Sequence, residues 1–191
     1  MKVRSLRPRA LAASLAGLAI VTGGAYVAAA QTASAETSFA QAAPTEAARA
    51  PQAVVQTGTL SADAALRVAD AVRKEAAKRN QRVTVVIVDR SGATRLVLKG
   101  DGTGPQSEES ARRKAFTAVS FGKATSELGK SVSGDGPTIA DIPGTLFLAG
   151  GVPVASGGVP VAGIGVGGAP SGDIDEAIAQ AGLEAVAGQL G

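Results

Sequence analysis

Apolar positions begin to recur with a regular period at about Leu60. Ala65, Leu66, Ala69, Val72 and Ala76 fall on one face at helical spacing. Ser61 stands where a cap belongs, Asp63 lies in the first turn, and Lys78 and Arg79 in the last, so the pattern predicts a helix from Ser61 to about Arg79. The period then shortens. VTVVIVD (Val83–Asp89) is a β-branched run typical of a buried strand. Asp89-Arg90-Ser91-Gly92 reads as a turn, and Ala93–Lys99 returns as a second strand to complete a hairpin. After the loop Gly100–Pro105, a helix is expected from about Ser107 to Phe121, closed by Gly122. Thr125 is placed to cap a further helical turn over Ser126–Gly129.

Glycine and proline dominate the next stretch, and Ser131–Ile142 reads as a loop. Thr145–Leu148 and Val159–Val166 then read as strands around Gly150-Gly151 and Gly157-Gly158. Asp173, with Glu176 three residues on, has the form of a capping box for a last helix to about Leu190. Its expected buried face is Ile174, Ile178, Ala181, Ala185 and Val186. Tight glycine-rich connections favour antiparallel pairing. The expected architecture is a single α+β domain, a small antiparallel β-sheet with helices packed against it and covering one side.

The first 35 residues have a different character. Lys2, Arg4, Arg7 and Arg9 precede an apolar run from Ala10 to Val21, and Ala33-Ser34-Ala35 supplies a small-x-small cleavage pattern. Residues 1–35 are therefore expected to be a signal peptide, and residues 36–57, rich in Ala, Gln and Pro, a flexible lead-in to a folded unit at 58–191. The weakly apolar stretch continues to Ala30, but Gly17, Gly23 and Gly24 make it a poor anchor, so no stable membrane insertion is expected after cleavage. Localisation is expected to be secreted, extracellular or in the cell envelope.

Cleavage changes the composition. The whole chain carries 19 basic and 16 acidic residues, but the four basic residues of the leader leave a nearly balanced mature chain. Nothing in that balance points to nucleic acid. Met1 and Tyr26, the single Met and the single Tyr, leave with the leader, and there is no His, Cys or Trp anywhere. Thiolate nucleophiles, disulfides and histidine general bases are excluded, as are His- or Cys-based metal centres. With aromatics at 3%, the core must come from Ala, Val, Leu and Ile.

Little conventional chemistry is left. Gly163-x-Gly165-x-x-Gly168 matches a dinucleotide pattern, but it lies in a strand with Pro170 before the helix and no strand after it. Strand glycines of this kind admit another backbone, or a flat ligand, at close range. Arg112 and Arg113 read as a solvated face paired with Glu108 and Glu109, and Lys114 stays open as a carboxylate or propionate anchor. Asp89, Asp101, Asp135 and Asp141 form no evident acid–base pair. No catalytic residue and no metal ligand is assigned.

Four stretches carry a resemblance. LSADAALRVADAVRKEAAKR, VTVVIVDRSGATRLVLKGDGTGPQS, ARRKAFTAVSFGKATSEL and the glycine-rich run through GGVPVAGIGVGGAPSGDIDEAIAQAG resemble the GlcG/HbpS-like family, related to the C-terminal domain of PduO. The similarity covers Leu60 to Leu190, and its most specific pieces are Lys114–Leu128 and Gly157–Gly182. It implies an antiparallel sheet with packed helices and homo-oligomers such as dimers or octameric rings. It also implies haem as cofactor or ligand, in some members haem breakdown with iron release, and an extracellular redox-stress role. Thr125 lies in the family's FGxxT segment and Lys114 in the helix before it, so these two positions are carried over as ligand-binding contacts. The usual side-chain ligands of haem iron are His, Cys, Met and Tyr, and the mature chain has none. The porphyrin would then sit on Val, Leu or Phe surface with its propionates on Lys, Arg or Thr, and lysine or water at the iron. Two other functions fit the same residues: a small-organic-acid or metabolite-binding module using Lys114, and an oligomeric interaction scaffold.

Overall fold

The computed structural model describes residues 53–132 and 136–191. The expected leader, most of the lead-in and Asp135 lie outside the described residues. Residues 53–59 form neither helix nor strand and are exposed, and the first buried side chain is Leu60.

Helix α1 spans Ala62–Lys78, and Ser61 caps it by accepting from the Ala64 N–H at 3.2 Å. Its buried face is Ala64, Ala65, Val68, Ala69, Val72 and Ala76. Leu66, expected on that face, is 60% exposed; Val68 takes the buried place two residues further on. Strands β1 (Thr84–Asp89) and β2 (Thr94–Lys99) form the expected hairpin, with a bulge between Ile87 and Val88. Asp89 fixes the turn: its Oδ1 accepts from the Ser91 N–H and hydroxyl and from the Ala93 N–H at 2.6–3.1 Å. Helix α2 runs Gln106–Phe121 and ends at Gly122, which adopts φ +65° and donates to the Ala118 carbonyl.

The strand expected at Thr145–Leu148 does not form; that segment is irregular. The strand is instead β3, Gly151–Ser156, hydrogen-bonded to β4, Val159–Gly167. Pro153 interrupts the apolar run and hides β3 in the sequence. The sheet tolerates it because β3 is an edge strand in the order β2-β1-β4-β3, all neighbours antiparallel. Helix α4, Gly172–Ala187, is capped by Ser171 rather than Asp173. Its buried face is Asp175, Ile178, Ala179, Gly182 and Val186; Ala185, expected inside, is exposed.

The sheet is covered on both faces, not one. Alternation along β4 sends Ala162, Ile164 and Val166 into a cluster with α1 and α4, joined by Val85 and Ile87 of β1. The opposite face of β4 carries Gly163, Gly165 and Gly167, against which α2 lies. A Cβ on Gly163 or Gly165 would penetrate the carbonyls of Ala115 or Ala111, and one on Gly167 would stand 2.7 Å from the Ser107 carbonyl. Glycines at every second strand position thus meet helix positions four apart. The dinucleotide-like pattern is a seat for α2. As composition requires, the buried apolar set among the described residues contains Ala, Val, Leu and Ile and no aromatic residue.

Gly165→Ala is expected to cost about 3 kcal/mol or more, because two backbones would have to part. Gly188→Ala, with open space around its Cβ position, should stay within about 0.5 kcal/mol; urea denaturation of both variants checks the contrast. Hydrogen bonding by Ser91 and by the backbone N–H groups of Ala93 and Ser91 holds the Asp89 carboxyl below its ordinary pKa. The stability this lends is present above the ordinary aspartate value and is lost as pH falls through the folded one. The urea midpoint should therefore drop on acidification below about pH 4, and less steeply in Asp89→Asn, which keeps the acceptor without the charge.

Candidate functional site

Two consecutive glycines, Gly150 and Gly151, gather the residues singled out in the sequence. Gly150 has φ +125°, and a Cβ there would lie 2.8 Å from Lys114 Nζ, from Asp175 Cβ and from the Val166 carbonyl. A Cβ on Gly151 would strike the Lys114 carbonyl and stand 2.6 Å from Thr125 Cγ2. Lys114 and Thr125 are therefore brought together against one stretch of backbone.

Lys114 is on the buried side of α2. Its ammonium donates to Asp175 Oδ2 at 2.7 Å and to the Val166 carbonyl at 3.0 Å, and the two side chains of the pair are only 3% and 4% exposed. Asp175 Oδ1 accepts from the Ala169 N–H at 3.0 Å, which ties the turn before α4 into the same unit. Burial pushes the Asp175 carboxyl above the ordinary carboxylate range, against the pull of the Lys114 hydrogen bond and charge and of the Ala169 N–H. The pair leaves Lys114 with its charge matched, so it offers a carboxylate or propionate little electrostatic attraction. This removes the main support for the organic-acid reading at Lys114.

Thr125 is the first residue of α3, Thr125–Gly129, rather than its cap; Ala124 holds the cap position. The Thr125 side chain is fully buried and its Oγ1 accepts from the Gly151 N–H at 2.9 Å. The neighbouring Gly150 N–H donates to Glu176 Oε2 at 3.1 Å, and Glu176 also accepts from the N–H and hydroxyl of Ser126. Both glycine amides are thus held by side chains from helices.

The segment leading into Gly150 is laced along α2. Arg113, expected on a solvated face, donates to the Thr145 carbonyl at 2.9 Å, and the Leu146 N–H donates to Thr117 Oγ1 at 2.8 Å. Arg112 does lie at the surface, paired with Glu109. Phe147 packs on Phe121 with ring centroids 5.8 Å apart, while Ile142 and Leu148 are exposed. A cleft of about 450 Å³ opens beside the buried pair, lined by Ser107, Ser110, Leu148, Gly168 and Asp173 among others.

Asp175 and Glu176 were missed as site residues because both fit a helix start. One signal was available: Asp175 lies three positions before Ile178 on the apolar stripe of α4, where a lone carboxylate demands a buried partner. Asp141 is spent on a capping box with Thr138, and Asp101 is exposed. Among the described residues no three His, Cys, Asp or Glu side chains are grouped to hold a metal ion, and no helix is long and apolar enough to cross a membrane.

The fold is a four-stranded antiparallel sheet between helices, an α+β class shared with known structures. The family model described as haem degrading protein HbpS-like matches residues 60–184. The chain belongs to that HbpS-like family. Among solved structures it is similar to HbpS, at 54% identity and a TM-score of 0.67 over 72% of this chain and 94% of that one. A double mutant of Streptomyces reticuli HbpS gives 52% identity and a TM-score of 0.67, over 74% and 97% of the two chains. The PduOC:Heme complex gives 27% identity and a TM-score of 0.64, over 70% and 98%. No curated protein matches the chain.

Removing one member of the buried pair should strand the other charge. Lys114→Met or Asp175→Leu alone is expected to cost about 3–5 kcal/mol. The double variant should lose clearly less than the sum, and urea denaturation of the four proteins of this cycle measures the coupling.

Proposed function

We propose that the protein is a secreted haem-binding member of its family, acting with copies of itself in haem handling under redox stress, including breakdown of the macrocycle and release of iron. One observation carries the reading: the match to a haem-degrading family runs through nearly the whole folded unit, residues 60–184. The PduOC:Heme complex, a structural neighbour over 70% of the chain, supports the ligand. The basic, apolar and small-x-small segments of residues 1–35 support secretion. Strand β2 supports self-association, being an edge strand with Val97 and Leu98 exposed.

The residues present do not fit a haem iron held by the usual side chains. The described residues contain no His, Cys, Met or Tyr, Lys114 is committed to Asp175 and Val166, and the Thr125 hydroxyl is committed to Gly151. A haem would instead have to be held by its periphery, with exposed apolar side chains such as Ile142 and Leu148 offered to the macrocycle and surface cations to the propionates. Lys114 and Thr125 serve by positioning, since they fix the backbone at Gly150-Gly151 where the 142–149 segment ends.

Haem titration of the protein recovered from culture medium, beginning at Glu36, tests the reading. The expected result is a saturable Soret change of fixed stoichiometry, with a ligand-field spectrum free of imidazole and thiolate signatures. Thr125→Val should weaken binding while Thr125→Ser, which keeps the acceptor, retains it. A spectrum indistinguishable from free haem at all ratios overturns the proposal.

A further inference from the structure

The two edges of the sheet differ in what they offer another strand. At β3 the Val166 N–H donates to the Gly150 carbonyl, so the antiparallel alternation turns Val152 and Val154 inward and Gly151 and Pro153 outward. The outward N–H of Gly151 is taken by Thr125 Oγ1, and Pro153 has no N–H to offer. That edge is closed. At β2 the Gly100 N–H donates to the Val83 carbonyl. The same alternation hydrogen-bonds Leu98 to Val85 and Leu96 to Ile87, and it points the N–H and C=O groups of Val97 and Lys99 away from the sheet. Among the described residues, no group outside the sheet meets them. The side chains are uncovered on both faces as well. Val97, beside Val86 on the α2 face, is 43% exposed, and Leu98, beside Val85 on the α1 face, is 38% exposed.

A sheet with one closed and one open edge can be extended only at β2. A second copy of the chain brings an identical open edge. Pairing the two about a twofold axis satisfies both and leaves none open, so the assembly closes instead of growing into a fibre.

Charge and the bulge decide the register. A twofold axis normal to the sheet keeps each face on its own side, so the pair can centre on Leu96, Val97 or Leu98. Centring on Val97 sets Arg95 against Lys99 of the partner subunit at both ends, an opposition of like charges. Centring on Leu96 runs the pairing into the bulge, where Arg95 has no partner on β1. Centring on Leu98 puts Leu98 against itself, hydrogen-bonds Val97 to the partner's Lys99, and brings Arg95 alongside the partner's Asp101. Arg95 and Asp101 are both exposed, and neither is in an ion pair among the described residues. The Arg95 charge also acts on Asp89, whose carboxylate is occupied by the hairpin turn.

We propose that two copies of this chain join through β2 in an antiparallel register centred on Leu98, with Arg95 of each copy paired to the partner's Asp101. This rests on the self-association in the proposed function and adds its surface, symmetry and register.

The chain contains no cysteine, so one introduced thiol reports one contact. Cα atoms at a non-hydrogen-bonded antiparallel pair lie about 4.5 Å apart, within disulfide reach. Oxidation of Leu98→Cys, in the protein recovered from culture medium, should therefore give covalent dimer on a non-reducing gel. Val97→Cys and Leu96→Cys, whose copies would stand more than about 7 Å apart, should give little. Sedimentation equilibrium reads the charge pair. Arg95→Asp and Asp101→Arg each place like charges together and should weaken dimerisation about fivefold or more. The combined variant should recover it to within about twofold, and far-UV circular dichroism checks that every variant folds. Covalent dimer strongest at Leu96→Cys or Val97→Cys overturns the proposal, as does a self-associating protein that Leu98→Cys does not trap. Failure of the combined variant to recover dimerisation overturns it too. These results leave self-association through another surface standing, whereas a monomer at every concentration overturns both.

Discussion

The structure depends on a close approach of two backbones. Helix α2 lies on β4 with Ser107, Ala111 and Ala115 seated on Gly167, Gly165 and Gly163, so a helix with small side chains meets a strand with none. Two regular periods make this possible, since every second strand residue and every fourth helix residue face the same way. The absence of aromatic core residues then becomes consistent with the fold. A layer this thin has no room for rings, and the three described phenylalanines lie outside the fully buried core.

Close seating of α2 also decides the fate of its polar residues. Lys114 stands next to Ala115 and is carried below the surface, where an unpaired ammonium could not remain. Asp175 answers it from α4, and the Val166 carbonyl and Ala169 N–H complete the unit. One ion pair therefore joins the helix on one face of the sheet to a helix on the other, around Gly150. Thr125 and Glu176 hold the two adjoining amides. The hub is buried, hydrogen-bonded and charge-matched, properties suited to positioning a loop and not to holding a metal. In the proposed function the apolar and cationic periphery is what meets haem, with the hub behind it.

Most elements were readable because local signals agreed with the fold. Ser61, Gly122 and the β-branched run in β1 mark their boundaries without outside help, and the Asp89 turn closes the hairpin. Errors arose where a local signal had two physical meanings. Pro153 breaks the apolar run of β3, yet an edge strand accepts it, and the apolar TLFL segment looked like a strand although backbone groups of Thr145 and Leu146 are met by Arg113 and Thr117 of α2. Asp173 and Ser171 both suit a helix start, and Ser171 makes the cap. Leu66 is apolar but points outward, because α1 buries its alanine and valine stripe instead.

Periodicity, caps and composition determined by themselves the helices, the hairpin, the aliphatic core and the lack of His or Cys chemistry, because each depends on neighbours within a few positions or on simple counts. The tertiary structure alone decided that Lys114 faces Asp175, 61 residues away, and that Thr125 serves Gly151. It also decided that the glycines of β4 seat a helix and not a nucleotide. Those outcomes depend on which charges are buried together and how closely two backbones approach. Both quantities are set only when distant segments pack, and no local pattern contains them.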